Sequence, residues 1–428
     1  MLDYSLNQLV KRNEKKLDLT LQNKLIQFFR PLRPIPSFLQ KIIEKSIKKY
    51  KKYSVVIEFD QQSFQNGIQQ VQNTNCKTFL ELPMVNCCSA NMSIENLEQL
   101  LESCSSIKKV YYDRKITALL DVATPAIGSS TLHQSGYTGQ GKTIAIVDTG
   151  IYPHSDIEDR ITAFVDFING QVDPYDDNGH GTHCAGDAAG SGLSSNHIKY
   201  MGPAPEANLV GIKVLDKSGA GTLSTVIQGI QWCVENKAQY NIDIISLSLG
   251  SDAVEPARED PVVQAVERAW DSGIVVCVAA GNSGPSNGTI ASPGISPTVI
   301  TVGATDDKST IDRSDDTVAN FSSRGPTIDG INKPDLVTPG VNIISLRSPG
   351  SYLDYTNRIS RVDANYISLS GTSMATPICA GIVAQLLQKE PYLTPNEVKE
   401  KLINACTDMG QPPNVQGNGY LNAENLLE

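Results

Sequence analysis

The chain has 428 residues, 40% of them apolar and 6% aromatic, which is material for a sizeable core in two or three domains. Its net charge of −10 is uneven: residues 1–52 carry +9 and the remainder −19, and an acidic body argues against nucleic acid as a partner. No apolar run reaches the length of a membrane span, and no apolar stretch follows a basic start as in a secretory leader. Nine cysteines form no regular framework, and the adjacent Cys87 and Cys88 fit no zinc pattern. The expectation is a cytoplasmic protein with reduced thiols, with export by an unconventional route left open.

In chain order, residues 1–52 read as a basic helical appendage. Leu21, Leu25, Phe28 and Phe29 recur at helical spacing, the prolines of 30–36 interrupt, and a second helix from Ser37 to Lys52 puts Phe38, Ile42, Ile43 and Ile47 on one side. Residues 53–120 form the next segment. Tyr53 to Phe59 is strand-like and Ser63 to Gln72 helical. Lys77 to Leu82 and Met84 to Met92 read as strands around Pro83, Ser93 caps a helix through Leu97, Leu100 and Leu101, and Ile107 to Tyr112 is a closing strand. The order β-α-β-β-α-β is that of a small α+β, ferredoxin-like unit. Asp113 to Gly141 reads as linker.

A third domain, 121–428, alternates strands and helices. Strands are predicted at Lys142–Asp148, Asn208–Val214, Ile242–Leu249, Ile274–Ala279 and Val299–Val302. Helices are predicted at Leu223–Asn236, Pro261–Ser272, Ser373–Lys389 and Pro395–Cys406. Such alternation implies an α/β fold, a parallel sheet flanked by helices.

Three glycine-rich stretches carry groups suited to acyl transfer, which needs a nucleophile, a base, an orienting acid and donors for the developing charge. Asp148 ends an apolar strand in Ile146-Val147-Asp148-Thr149-Gly150. His180 lies in Asn178-Gly179-His180-Gly181-Thr182-His183, with no side-chain bulk on either side. Ser373 opens a helix in Ser370-Gly371-Thr372-Ser373-Met374-Ala375-Thr376-Pro377, with Pro377 expected in the first turn. Asn282, in Ala280-Gly281-Asn282-Ser283-Gly284, offers a side-chain amide just past a strand. Each alone has a blander reading, as a turn or cap residue. The His180–His183 pair lacks the glutamate of a zinc-protease pattern, so no metal is expected.

Read in the order Asp, His, Ser, these motifs resemble the subtilisin-like serine proteases, over roughly residues 120 to 425. The likeness is to the intracellular-type bacterial branch with an N-terminal propeptide-like domain. It implies a serine endopeptidase with Asp148, His180 and Ser373 as triad, Asn282 in the oxyanion hole, and His183 structural. It also implies that Gly219, Ala220, Gly221 and Ser248, Leu249, Gly250 are strands holding an extended peptide. Leu223 stands where the family often has a pocket-capping aromatic, which would favour a bulky apolar residue four positions before the cut. The implied partners are protein or peptide substrates and the chain's own N-terminal domain, an intramolecular inhibitor removed by self-cleavage near Leu120-Asp121. A permanent N-terminal domain is the alternative. No cofactor is expected to be required. Asp156 matches a frequent calcium ligand of secreted members, but the loop Gly190 to Tyr200 lacks a matching ligand pattern, and calcium binding is left open. Cys184, four residues from His180, is read as a small buried residue. A catalytically dead relative acting as a binding protein is the alternative from another class, disfavoured by the intact set of four groups.

Overall fold

Strand Lys52–Phe59 is apolar at most of its positions, and accordingly it takes the interior of a sheet. Its neighbours are strands Cys87–Ser93 and Ile107–Tyr112, both antiparallel, and Phe79–Leu82 lies outside Cys87–Ser93. This is part of a computed structural model that describes residues 5–27, 37–74, 76, 79–113, 115–118, 126–195, 199–308, 310 and 312–427. They divide into two units, Met1–Arg114 and Lys115–Glu428.

In the first unit, helices Phe64–Gln72 and Ile94–Ser103 bury Ile68 and Val71, and Leu97 and Leu100, in the core above the sheet. The β-α-β-β-α-β order holds. Ser93 caps its helix, its side chain accepting from Asn96 N at 3.1 Å. One expected strand is shorter than its residues suggested. Pro83–Val85 is a 3₁₀ turn and Asn86 has φ 52°, so the strand starts at Cys87. Proline has no N–H for a sheet ladder, and asparagine tolerates the left-handed region better than most residues.

Residues 1–52 are not a separate appendage. Leu9, Val10, Leu17, Leu21 and Leu25 belong to the same core as Val55 and Ile57, with Ile43 and Ile47 packed against it. Asp18 is fully buried. Its Oδ1 accepts from Leu21 N at 2.9 Å and from Tyr112 N at 3.0 Å, and its own N–H donates to Val110 O. The first helices are thereby tied to the edge strand Ile107–Tyr112, whose unpaired side would otherwise be open. The helix from Ser37 ends at Tyr50, because Lys52 already pairs with Ser93. Phe28 and Phe29 lie outside the described residues.

The second unit is built on a ten-stranded sheet. Its main path runs Cys406–Thr407, Tyr420–Leu421, Leu336–Pro339, Ile300–Asp306, Val275–Ala279, Ile242–Leu247, Thr143–Asp148, Asn208–Lys213, Ile161–Asp166. Successive pairs from Tyr420–Leu421 to Ile161–Asp166 are parallel. The five predicted strands are all present, and three parallel strands were missed, one of them the two-residue Tyr420–Leu421. Ile161–Asp166 is a half-exposed edge strand broken by Thr162, and Leu336–Pro339 is four residues ending in proline. From Thr143–Asp148 the chain first moves towards one edge and then, from Ile242, towards the other. The carboxyl ends of these central strands therefore open onto a crevice. The 113–141 segment is not plain linker, since it contains strand Lys115–Ala118 and helix Ser129–Gln134.

Candidate active site

Asp148 is the last residue of its strand, fully buried at the crevice. Its Oδ1 accepts from Thr149 N at 2.7 Å and lies 2.7 Å from His180 Nδ1. His180 is the first residue of helix His180–Ala189 and is fully buried. Close packing brings the two together. A Cβ on Gly181 would lie 2.2 Å from Gly150 O, so only glycine lets the helix start approach the Asp148 turn. Asp176 organises that start from outside the motif. Its Oδ1 accepts from Thr149 Oγ1, Asn178 N and Gly179 N, and its Oδ2 from Thr182 N and Oγ1. Lys213, on the strand beside Asp148, is also buried and donates to Thr149 O at 2.6 Å and Asp177 Oδ1 at 2.7 Å.

Burial alone would lower the His180 pKa, but the Asp148 carboxylate outweighs it and holds the ring well above its ordinary value. Cys184, one turn along the helix, packs on this pair. Its Sγ is 3.8 Å from His180 Nδ1, 4.0 Å from Asp148 Oδ2 and 3.5 Å from Ser373 O. Its contacts reach all three residues of the expected triad, a placement its sequence spacing only hinted at. Burial pushes the thiol up to about 12, which keeps it neutral. Asp148, His180 and Cys184 are also the one group of three potential metal ligands that converge among the described residues. The His180–Asp148 bond already occupies the facing ligand atoms.

Ser373 is the second residue of helix Thr372–Lys389, fully buried beside the His180 helix. Its Oγ donates to Ser248 O at 3.2 Å, and Ser248 Oγ donates to Ser373 O at 2.6 Å. Pro377 lies in the second turn rather than the first. It removes the N–H that would have bonded Ser373 O within the helix, which leaves that carbonyl for Ser248. Asn282 follows strand Val275–Ala279. Its Oδ1 accepts from Thr372 N at 3.0 Å and from Thr372 Oγ1 at 3.2 Å, which fixes the amide so that its NH₂ end points the other way. Asp148, Ser248 and Asn282 thus all lie at carboxyl ends of parallel strands.

His183 contributes no group to this cluster. Its Nδ1 pairs with Asp187 Oδ2 at 2.9 Å and its Nε2 lies 3.3 Å from Ile367 O. Asp156 is engaged by protein donors: Gly192 N and Tyr366 OH on Oδ2, and Ser194 N on Oδ1. The two expected substrate strands flank a third. Strand Lys115–Ala118 runs antiparallel between Ala220–Thr222 and Leu249–Gly250, pairing Thr117 with Ala220 and Gly250, and Ala118 with Leu249. Gly219 precedes the first of these strands, and Leu223 is buried at the start of the following helix. Leu120 and Asp121 lie outside the described residues.

A buried Asp–His pair beside a helix-start serine, at the crevice of a parallel sheet, defines a serine hydrolase of α/β build. Residues 139–419 match the model of the subtilase family, peptidase S8, and the chain belongs to that family. It is 52% identical to serine protease AprX of Bacillus subtilis, covering 100% of this chain and 99% of that protein. It is 32% identical to the thermostable alkaline protease of Halalkalibacterium halodurans, over 87% of this chain and 91% of that one. In fold it is similar to fervidolysin from Fervidobacterium pennivorans, a solved structure with a TM-score of 0.69 at 23% identity. That match covers 89% of this chain and 61% of fervidolysin. The protein is a serine endopeptidase. No helix of the described residues is long and apolar enough to cross a membrane.

Proposed function

We propose that Ser373 is the nucleophile, His180 the general base and Asp148 the group that orients the imidazole and stabilises its charged form. The 2.7 Å contact between His180 Nδ1 and Asp148 carries this reading, since it directs Nε2 away from the acid as a base requires. Ser373 gains from the positive end of its helix. Asn282, its oxygen held by Thr372, serves the tetrahedral oxyanion with its NH₂ group. Protein or peptide substrates lie extended between Ala220–Thr222 and Leu249–Gly250 and are held by main-chain bonds. Labelling the purified protein with a serine-directed phosphonate tests the assignment. Mass spectrometry is expected to find the adduct on Ser373, and an adduct elsewhere would overturn it.

The N-terminal unit acts as a self-inhibiting propeptide. Strand Lys115–Ala118 supports this, because it takes the place a substrate strand needs while Ser373 and His180 are fully buried. The strand ends with Ala118 opposite Leu249, next to Ser248, whose carbonyl accepts from Ser373. The cut is assigned close to Leu120-Asp121, shortly after this strand. Calcium is not given a role, since the Asp156 carboxylate already meets three protein donors. All nine cysteines are free thiols, which supports a reducing compartment and a cytoplasmic location.

A further inference from the structure

A cavity of about 290 Å³ lies beside Tyr420, on a strand separated from the Asp148 strand by four others in the sheet. Its lining has unmet bonding capacity of both signs. Both carboxylate oxygens of Asp316 are shielded from water and have no hydrogen-bond partner. The hydroxyl of Tyr420, a residue 3% exposed, has none either. Arg313 donates from Nε to Ala126 O at 3.0 Å, and its guanidinium lies 5.3 Å from the centre of the Tyr420 ring. The Arg313 side chain is part of the cavity lining. The second acid of the lining, Asp408, is already engaged, accepting from Gly410 N and Gln416 Nε2. Burial, followed by the charges of Asp307 and Asp315, pushes the Asp316 carboxyl up to about 6. The charge of Arg313 opposes this rise without cancelling it.

A divalent ion fits this lining poorly, because no three carboxylates converge there among the described residues. An unmatched carboxylate three residues from a guanidinium, with a buried phenol beside them, is the complement of a small zwitterion. We propose that this cavity binds a free α-amino acid, with its ammonium on Asp316 and its carboxylate on Arg313 and the Tyr420 hydroxyl. The volume suits one amino acid with a small side chain against Met409. Binding to the folded unit alone raises its stability by mass action.

The test uses full-length protein carrying Ser373→Ala, which prevents self-digestion and leaves this cavity unaltered. L-Alanine is titrated by equilibrium dialysis and by thermal unfolding. Saturable binding and a rise in Tm are expected. N-acetylalanine, without the ammonium, and alaninamide, without the carboxylate, should fail to bind. Asp316→Asn and Tyr420→Phe should each weaken binding about tenfold or more, as loss of a charge-assisted bond or a buried donor does. Tyr420→Phe removes one oxygen and nothing else, so it serves should Asp316→Asn fail to fold. Absence of saturable binding, or alanine binding unchanged in both variants, would overturn the proposal. So would ethylamine or calcium matching the effect of alanine, which would make this a plain cation site.

Discussion

Ser373 and Ser248 exchange hydrogen bonds, each hydroxyl donating to the other's carbonyl, at 3.2 and 2.6 Å. The exchange exists because Pro377 cannot donate to Ser373 O, and it ties the start of helix Thr372–Lys389 to the residue before strand Leu249–Gly250. Ser248→Ala should therefore lower kcat several-fold, matching the loss of about 1 kcal/mol of positioning. Steady-state kinetics on a peptide anilide check this. A change confined to KM would place Ser248 in substrate binding only.

Asn282→Ala should lower kcat and leave KM nearly unchanged, because the oxyanion exists only near the transition state. The loss known for such a donor in a subtilisin itself is about 10²–10³ in kcat, and a value in that range is expected here. Thr372→Val should have a smaller effect of the same kind, since it removes one of the two bonds that fix the amide.

His180→Ala and His183→Ala should each strip a buried carboxylate, Asp148 or Asp187, of its imidazole and cost about 3 kcal/mol or more of stability. Only His180→Ala should abolish turnover, while His183→Ala keeps its activity at temperatures where it stays folded. Urea unfolding of both variants in the Ser373→Ala background checks the first expectation, and steady-state kinetics below the lowered Tm check the second.

The raised pKa of His180 gives the pH dependence a definite sign. General-base action needs the neutral ring, so first-order self-cleavage should speed up with pH through a midpoint above about 6.5, the ordinary histidine value. Stability runs the opposite way. The His180–Asp148 contribution is fully present below the unfolded histidine pKa and is lost as pH rises through the raised folded value. Processing rates across pH, together with Tm of Ser373→Ala, test both trends. A midpoint at or below about 6.5 would contradict this electrostatic reading.

The strands of the parallel sheet and the motif residues were legible because burial writes continuous apolar runs, and the chemistry needs glycine, histidine and serine at fixed places. The three missed parallel strands are an edge, a proline-ended stub and the two-residue Tyr420–Leu421, which lack that signature. The supporting residues were not legible. Asp176 and Lys213 act through turns and neighbouring strands far apart in sequence, and nothing local marks them; Thr372 stood inside the serine motif, but its bond to the distant Asn282 did not show there. Residues 1–52 read as an appendage packed on a larger body because their lysines dominate the pattern, whereas Leu9, Leu17, Leu21 and Leu25 complete a core shared with residues 53–113. The strand at Lys115–Ala118 was legible only as an extended apolar stretch, since its pairing partners are about a hundred residues away.

A triad of Asp148, His180 and Ser373 that first cuts its own chain leaves a mark that N-terminal sequencing of active enzyme reads, set beside Ser373→Ala purified in parallel. A new terminus close to residue 121 is expected in the active protein and an uncut chain in the variant. Active protein that retains residues 1–114 in covalent linkage, or the same cut in Ser373→Ala, would contradict it.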